Sequence, residues 1–230
     1  MKTLGLAGGI SWISTLDYYR YLNEGINAQL GGLNFARCII HSFNYADIKK
    51  NNDNNDWAKT SAMLREACLH MQRSGAEAIL LCANTMHLVA DEVQRALHIP
   101  IIHIAEATAS AINDEGLKKV GLLGTRFTME RDFFKDKLGD AGIETIIPEE
   151  NDRAFIHATI ADELGKGIIE ETTKRRYLDI SHKLIAQGAE GIILGCTEIP
   201  LLLKAGDIRV PVFDTTYIHA AAAVKFALEP

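Results

Sequence analysis

Two ten-residue stretches of the chain match without a gap, and they limit what the whole can fold into. Gly75-Ala76-Glu77-Ala78-Ile79-Leu80-Leu81-Cys82-Ala83-Asn84 lines up with Gly188-Ala189-Glu190-Gly191-Ile192-Ile193-Leu194-Gly195-Cys196-Thr197. Each starts at a glycine that closes a helix-like segment, runs through short apolar sequence and ends in polar or reactive side chains. The surroundings repeat too. Leu4-Gly5-Leu6-Ala7-Gly8 is echoed by Val120-Gly121-Leu122-Leu123-Gly124, and Ile99-Pro100-Ile101-Ile102-His103 by Val210-Pro211-Val212-Phe213-Asp214. A repeat of this period describes two similar units of about 105 to 115 residues.

The apolar stretches are short for helices, and helix-like segments lie on either side, so they read as buried strands of parallel sheets covered on both faces. The expected fold is α/β, with two pseudo-symmetric lobes, each a mostly parallel sheet flanked by helices. Residues 1–103 with 216–230 form the first lobe and residues 104–215 the second. The last helix, 217–228, packs back on the first lobe and ties the two together. Ligands of open parallel sheets bind beyond the carboxyl ends of the strands. A pseudo-twofold axis would bring both sets of strand ends to one cleft, where the active site is expected.

The first lobe brings Gly8-Gly9-Ile10-Ser11, a turn into a helix over 15–28, with Ser11 and Ser14 as candidate caps. Backbone N–H groups at such a turn suit an anion such as a carboxylate. There is no GxGxxG and no GxxxxGK[ST], so no nucleotide is implied. After a second strand over 35–42, with Cys38 in the core, the asparagine-rich run 44–56 reads as a loop. It is either a solvated surface segment or a lid whose Lys49, Lys50 or Asn52 reaches a substrate carboxylate. A helix over 56–74 places Leu64, Ala67, Cys68 and Met71 on one core face. The second lobe brings Gly124-Thr125-Arg126-Phe127-Thr128, where Thr125 and Thr128 cap a helix or help hold a carboxylate.

The composition narrows the partners. A net charge of −6 without any run of lysine or arginine argues against nucleic acid and acidic membrane surfaces. No stretch of about 18 apolar residues could span a bilayer. Four widely spaced cysteines fit a reducing cytoplasm, and the eight histidines form no HxxxH or HxH pair, so no metal site is expected. A small molecule is the expected partner.

Gly8 to Thr15 with Tyr18-Tyr19-Arg20, Asn84-Thr85-Met86-His87, Gly124 to Thr128, Leu194 to Ile199 and Pro211-Val212-Phe213-Asp214 together resemble the aspartate/glutamate racemase family, along nearly the whole chain. The resemblance implies a cofactor-independent amino-acid racemase of two similar α/β domains, acting on aspartate, glutamate or a similar acidic amino acid, and a homodimer. Such enzymes generally use one thiol from each domain on opposite faces of the substrate α-carbon. Cys196 matches the second of these. Asn84, Thr85, Thr125, Thr128 and Thr197 are candidates for binding the substrate carboxylates, with Gly9, Ile10 and Ser11 behind them. Lys166 lies where some aspartate racemases place a carboxylate-binding lysine, and Glu198, polar and at the cleft, either orients a substrate ammonium or is a solvated strand-end carboxylate. The chemistry asks for a thiol pushed toward thiolate, which strand ends beside helix N-termini supply.

The chain departs from the family pattern at the other thiol. The residue before Asn84 is Ala83, and the cysteine stands one place earlier, at Cys82. The repeat agrees, pairing Ala83 with Cys196 and Cys82 with Gly195. Neighbouring side chains on a strand point to opposite faces, so Cys82 is expected to turn away from the cleft. Three readings stay open: a racemase in which Thr85, His87, Cys82 or a water stands opposite Cys196; a one-thiol relative of the arylmalonate-type decarboxylases; or a protein that binds an acidic amino acid without turning it over.

Overall fold

The computed structural model describes residues 1–230. In chain order the first elements are β1 (Leu4–Gly8), α1 (Trp12–Leu30), β2 (Cys38–Ser42), α2 (Tyr45–Asp53), α3 (Trp57–Arg73), β3 (Ala78–Leu81), a 3₁₀ segment Asn84–Val89 and α4 (Ala90–Gln94). Then follow α5 (Ile104–Asp114), β4 (Lys119–Gly124), α6 (Arg126–Glu130), α7 (Asp132–Asp140), β5 (Glu144–Ile146) and α8 (Glu150–Asp162). A 3₁₀ segment Leu164–Lys166, α9 (Glu171–Ala186), β6 (Gly191–Gly195), α10 (Ile199–Leu202), β7 (Val212–Asp214) and α11 (Thr215–Leu228) complete the chain. No helix is long and apolar enough to cross a membrane.

The residues gather into two compact units, Met1–Ile104 with His219–Pro230, and Ala105–Ile218. The first holds a parallel sheet of order β2-β1-β3, with Leu4 opposite both Cys38 and Ala78. Period-2 alternation sends its side chains to two apolar layers. Leu4, Leu6, Leu80 and Cys82 pack with Tyr18, Leu22 and Ile26 of α1 and with Ala220, Ala223 and Val224 of α11. Ala7, Ile79 and Leu81 pack with Ile48 of α2 and with Leu64, Cys68 and Met71 of α3. Burying both layers is what makes every residue of β1 and β3 inaccessible.

The second unit holds a parallel sheet of order β5-β4-β6-β7. Its core joins Leu123, Ile192 and Leu194 to Ile156 and Ile160 of α8 and Tyr177, Ile180 and Leu184 of α9. The repeat reappears in hydrogen bonds: Ile79 N–H donates to Pro100 carbonyl and Ile192 N–H to Pro211 carbonyl, both at 2.9 Å. In the second unit this pairing extends into β7, whereas the strand expected at 99–103 is a single bridge between Ile79 and Ile101.

The asparagine-rich run is not a loop. Residues 45–53 are α2, because Ile48 and Asn52, one turn apart, are buried while the other polar side chains face water and Lys49 pairs with Asp53. The turn falls later, at Asn55, whose φ is +53°, and Asp56 caps α3 by accepting from Lys59 N–H. Cys38 is half-buried on the edge strand rather than in the middle of a core.

Candidate active site

In the second unit β6 and β4 end side by side at Gly195 and Gly124. Both positions require glycine: a Cβ on Gly195 would lie 2.7 Å from the Leu123 carbonyl oxygen, and one on Gly124 2.8 Å from that of Gly195. The strand ends therefore touch, and the three residues after Gly195 turn directly into α10. Cys196, Thr197 and Glu198 are all buried. Cys196 Sγ donates to Glu198 Oε2 at 3.0 Å, and Thr197 Oγ1 donates to the same oxygen at 2.8 Å. The other carboxylate oxygen, Glu198 Oε1, is buried without a hydrogen-bond partner.

This corrects one expectation. The Cys196 thiol is not pushed toward thiolate; burial, and then the Glu198 carboxylate at its side, hold it protonated well above the ordinary thiol range. Its resting state is a proton donor aimed at a carboxylate.

Around these groups, Thr125 caps α6, accepting from Thr128 N–H at 3.2 Å, and the two hydroxyls lie 3.1 Å apart. Thr128 is inaccessible, with its side chain against Gly124 and Gly195. Lys166 is exposed and pairs loosely with Asp162 at 3.7 Å. Leu164, in the same 3₁₀ segment, packs with Ile199 and Leu202 of α10.

In the first unit the equivalent strand end carries Ala83, with no acid or base. Cys82 is inaccessible, packed among Leu80, Tyr18 and Ala220, with Sγ against the Leu80 carbonyl and burial raising its pKa. Ala83 packs against the opposite layer. Asn84 is buried and Thr85 partly accessible at the start of the 3₁₀ segment. The Gly9 turn does not offer its N–H to a ligand, since Thr15 Oγ1 takes it at 2.8 Å. Ile10 belongs to the apolar layer and Ser11 caps α1. Asn52 is buried, its side-chain oxygen accepting from Thr60 Oγ1 at 3.0 Å.

A histidine cluster beside this strand end escaped the sequence reading except for His87. The His87 ring stacks edge-on to His103 and His219, with centroids 4.5 and 5.5 Å away. His219 Nδ1 pairs with the Tyr18 hydroxyl at 2.8 Å and Nε2 with the Ile102 carbonyl at 2.7 Å. The carbonyl can only accept, so Nε2 carries the proton and Nδ1 accepts from Tyr18. His87 likewise donates from Nε2 to the Leu81 carbonyl at 3.2 Å, leaving Nδ1 as a buried acceptor without a partner. Burial keeps both imidazoles neutral, His87 well below its usual pKa and His219 at about 4. The cluster ties the Asn84–Val89 segment to the places where the chain leaves and re-enters this unit.

Comparison with known proteins decides the family, since the Asp/Glu/hydantoin racemase model matches residues 8–223. The chain belongs to that family. Among solved members, a candidate Asp/Glu racemase of Yersinia pestis is 48% identical with full coverage of both chains and a TM-score of 0.93. An aspartate racemase homologue from Pyrococcus horikoshii OT3 is 36% identical, again over both whole chains, with a TM-score of 0.86. The broad specificity amino-acid racemase RacX of Bacillus subtilis (strain 168) is 26% identical over 160 residues, 70% of this chain and 69% of that one. The α/β architecture of parallel sheets flanked by helices is thus a racemase-family fold.

Proposed function

We propose that this racemase-family chain interconverts the enantiomers of aspartate, glutamate or a similar acidic amino acid without a cofactor, using Cys196 to exchange the α-proton on one face. The observation that supports it is the Cys196–Glu198 contact. Glu198 Oε2 accepts the thiol proton; the thiolate then takes the α-proton, the C–H electron pair staying on carbon as a carbanion. Reversal returns the proton through the same thiol. Thr197 holds the carboxylate in place, and Glu198 Oε1 is available to a substrate ammonium. Thr85, Asn84, Thr125, Thr128 and Thr197 are the proposed grip on the substrate carboxylates, where hydrogen bonds to the developing negative charge lower the barrier. Lys166 is the proposed cation for the distal carboxylate. Ile10, Ser11 and Asn52 fit this role poorly, for the packing and hydrogen-bonding reasons above.

Racemisation needs proton exchange on both faces, and Ala83 supplies none. The other face falls to Thr85, the neutral His87 or a water, since buried Cys82 points into the apolar layer. Turnover is therefore slow or strongly asymmetric between enantiomers. We place the protein in the cytoplasm as a homodimer of two-domain chains, the domains corresponding to the two compact units. A second reading rests on the protonated resting thiol: one acid on one face suffices for a decarboxylase that protonates a carbanion after carbon dioxide leaves.

The test is deuterium incorporation at the α-carbon of both enantiomers of aspartate and glutamate in heavy water. Exchange should vanish in Cys196→Ala and accelerate in Ala83→Cys. Absence of exchange from all four substrates in folded wild-type protein would sink acidic amino-acid racemisation and favour the one-thiol lyase.

A further inference from the structure

The strand leading to each reactive position ends with the same device: a side chain takes a strand carbonyl just before that position. The gapless repeat pairs Leu81 with Leu194 and Ala83 with Cys196. In the second unit the Leu194 carbonyl accepts from Thr215 Oγ1 at 2.8 Å. In the first unit the Leu81 carbonyl accepts from His87 Nε2 at 3.2 Å. The donors come from unrelated places, Thr215 from the start of α11 and His87 from the 3₁₀ segment that follows β3. Both are buried, Thr215 fully and His87 at 2% exposure.

Carbonyls inside a parallel sheet are normally satisfied by the neighbouring strand. In the first unit that neighbour stops early. Ile102 N–H donates to the Ile79 carbonyl at 2.9 Å, next to the single bridge between Ile79 and Ile101, and α5 already begins at Ile104. Imidazoles serve the carbonyls at this gap, His87 that of Leu81 and His219 that of Ile102 at 2.7 Å. The Tyr18 hydroxyl fixes His219 at 2.8 Å, and the rings of His219 and His103 close edge-on upon His87. His87 thereby ties the 3₁₀ segment back to the end of β3 and encloses Ala83, Asn84 and Thr85. Within this turn Ala83 N–H donates to the Leu81 carbonyl at 2.8 Å and Met86 N–H to the Ala83 carbonyl at 3.2 Å.

We infer that Thr215 and His87 are equivalent positioning residues, each fixing the peptide plane from which its unit's reactive turn departs. Thr215 holds the Leu194–Gly195 peptide and so aims Cys196. His87 holds the Leu81–Cys82 peptide and so places Asn84 and Thr85. The first anchor is intact although Ala83 has no acid or base, because the same turn carries part of the proposed grip on the substrate carboxylates. The kinetic consequence rests on the racemase reading. Thr215 acts through the thiol and therefore on turnover, and His87 acts through the grip and therefore on substrate affinity.

Two measurements on variants of matched circular dichroism test this. In α-proton exchange, Thr215→Val keeps the shape but loses the hydroxyl and should lower kcat about 10²-fold with KM nearly unchanged, while Thr215→Ser restores it. His87→Asn, too short to reach Leu81, should raise KM about tenfold with a smaller change in kcat, while His87→Gln, whose amide nitrogen replaces Nε2, restores it. A merely structural role would move melting midpoints without this split and without rescue. Wild-type kcat in Thr215→Val, or His87→Gln as impaired as His87→Asn, would overturn the assignment. Iodoacetamide labelling, read peptide by peptide by mass spectrometry, tests the same placement without substrate. Cys196 should alkylate about tenfold faster in Thr215→Val than in wild type or Thr215→Ser. The thiol introduced by Ala83→Cys should alkylate about tenfold faster with His87→Asn added than with His87→Gln added. Equal rates would overturn the inference. The expected labelling in a wild-type protein that exchanges no α-proton would sink the racemase reading and leave both anchors standing.

Discussion

Acid should unfold the first unit through its buried histidines before the carboxylates matter. His219 titrates near 6.5 when unfolded and at about 4 when folded. Between these values the unfolded chain holds a proton that the folded chain refuses. Stability is therefore full above pH 6.5 and falls as the pH drops toward 4. At pH 5 the integrated loss from His219 alone is about 2 kcal/mol, approaching about 3 kcal/mol below pH 4. His87 shifts in the same direction and adds to the slope. Carboxylates held low by their partners, such as Asp207 and Glu190, act only below the ordinary carboxylate range. The window from pH 6.5 to 5 thus isolates the histidines. Both tryptophans, Trp12 and Trp57, belong to the first unit, so urea unfolding followed by tryptophan fluorescence reads that unit alone. His219→Gln keeps a donor and an acceptor but cannot take up a proton in this range. It should start less stable at pH 8 and then lose about 2 kcal/mol less than wild type on going to pH 5. Equal losses in the two proteins would refute the reasoning.

Glu198→Gln removes the negative charge that helps hold the Cys196 thiol protonated, so the thiol pKa should fall and alkylation by iodoacetamide at pH 8 should quicken, while α-proton exchange slows about 10²-fold or more for want of the acceptor; slower alkylation would contradict the assigned contact. Gly195→Ala forces a Cβ against the Leu123 carbonyl and should destabilise the second unit by about 1–3 kcal/mol, seen as a lower melting midpoint, with a wild-type midpoint counting against the close approach of the strands. Asp152→Ala strips the buried carboxylate from Arg176 and Lys183; because both cations are partly exposed and regain water, the expected loss is about 1–2 kcal/mol in chemical denaturation rather than the larger cost of a stranded buried charge.

How much of this was legible before the fold was seen varies with the range of the interaction. The strand ends were legible because the repeat aligns two apolar segments residue for residue, and alternation then assigns Cys82 and Ala83 to opposite layers. The helix at 45–53 was hidden because asparagine and aspartate mark turns by composition, whereas its formation depends on two inward positions, Ile48 and Asn52, that only tertiary packing rewards. The fate of the Gly9 N–H was hidden for a similar reason, since it is decided by a threonine side chain six residues on. Nothing local could reveal that His87, His103 and His219 meet. That the thiol of Cys196 is raised rather than lowered depends first on its burial and then on Glu198 folding back over one residue, neither of which is a local pattern.

The first unit is interrupted: its apolar layer over Leu4, Leu6, Tyr18 and Leu22 is closed by Ala220, Ala223 and Val224, which follow the entire second unit in the chain. On the ribosome, the middle of the protein can finish folding while the beginning still waits with one face of its sheet uncovered. The late arrival of a dozen residues then completes the earliest strand, and loss of those residues through premature termination should leave a nascent chain whose opening segment is a substrate for chaperones, with residues 105–218 already native beside it.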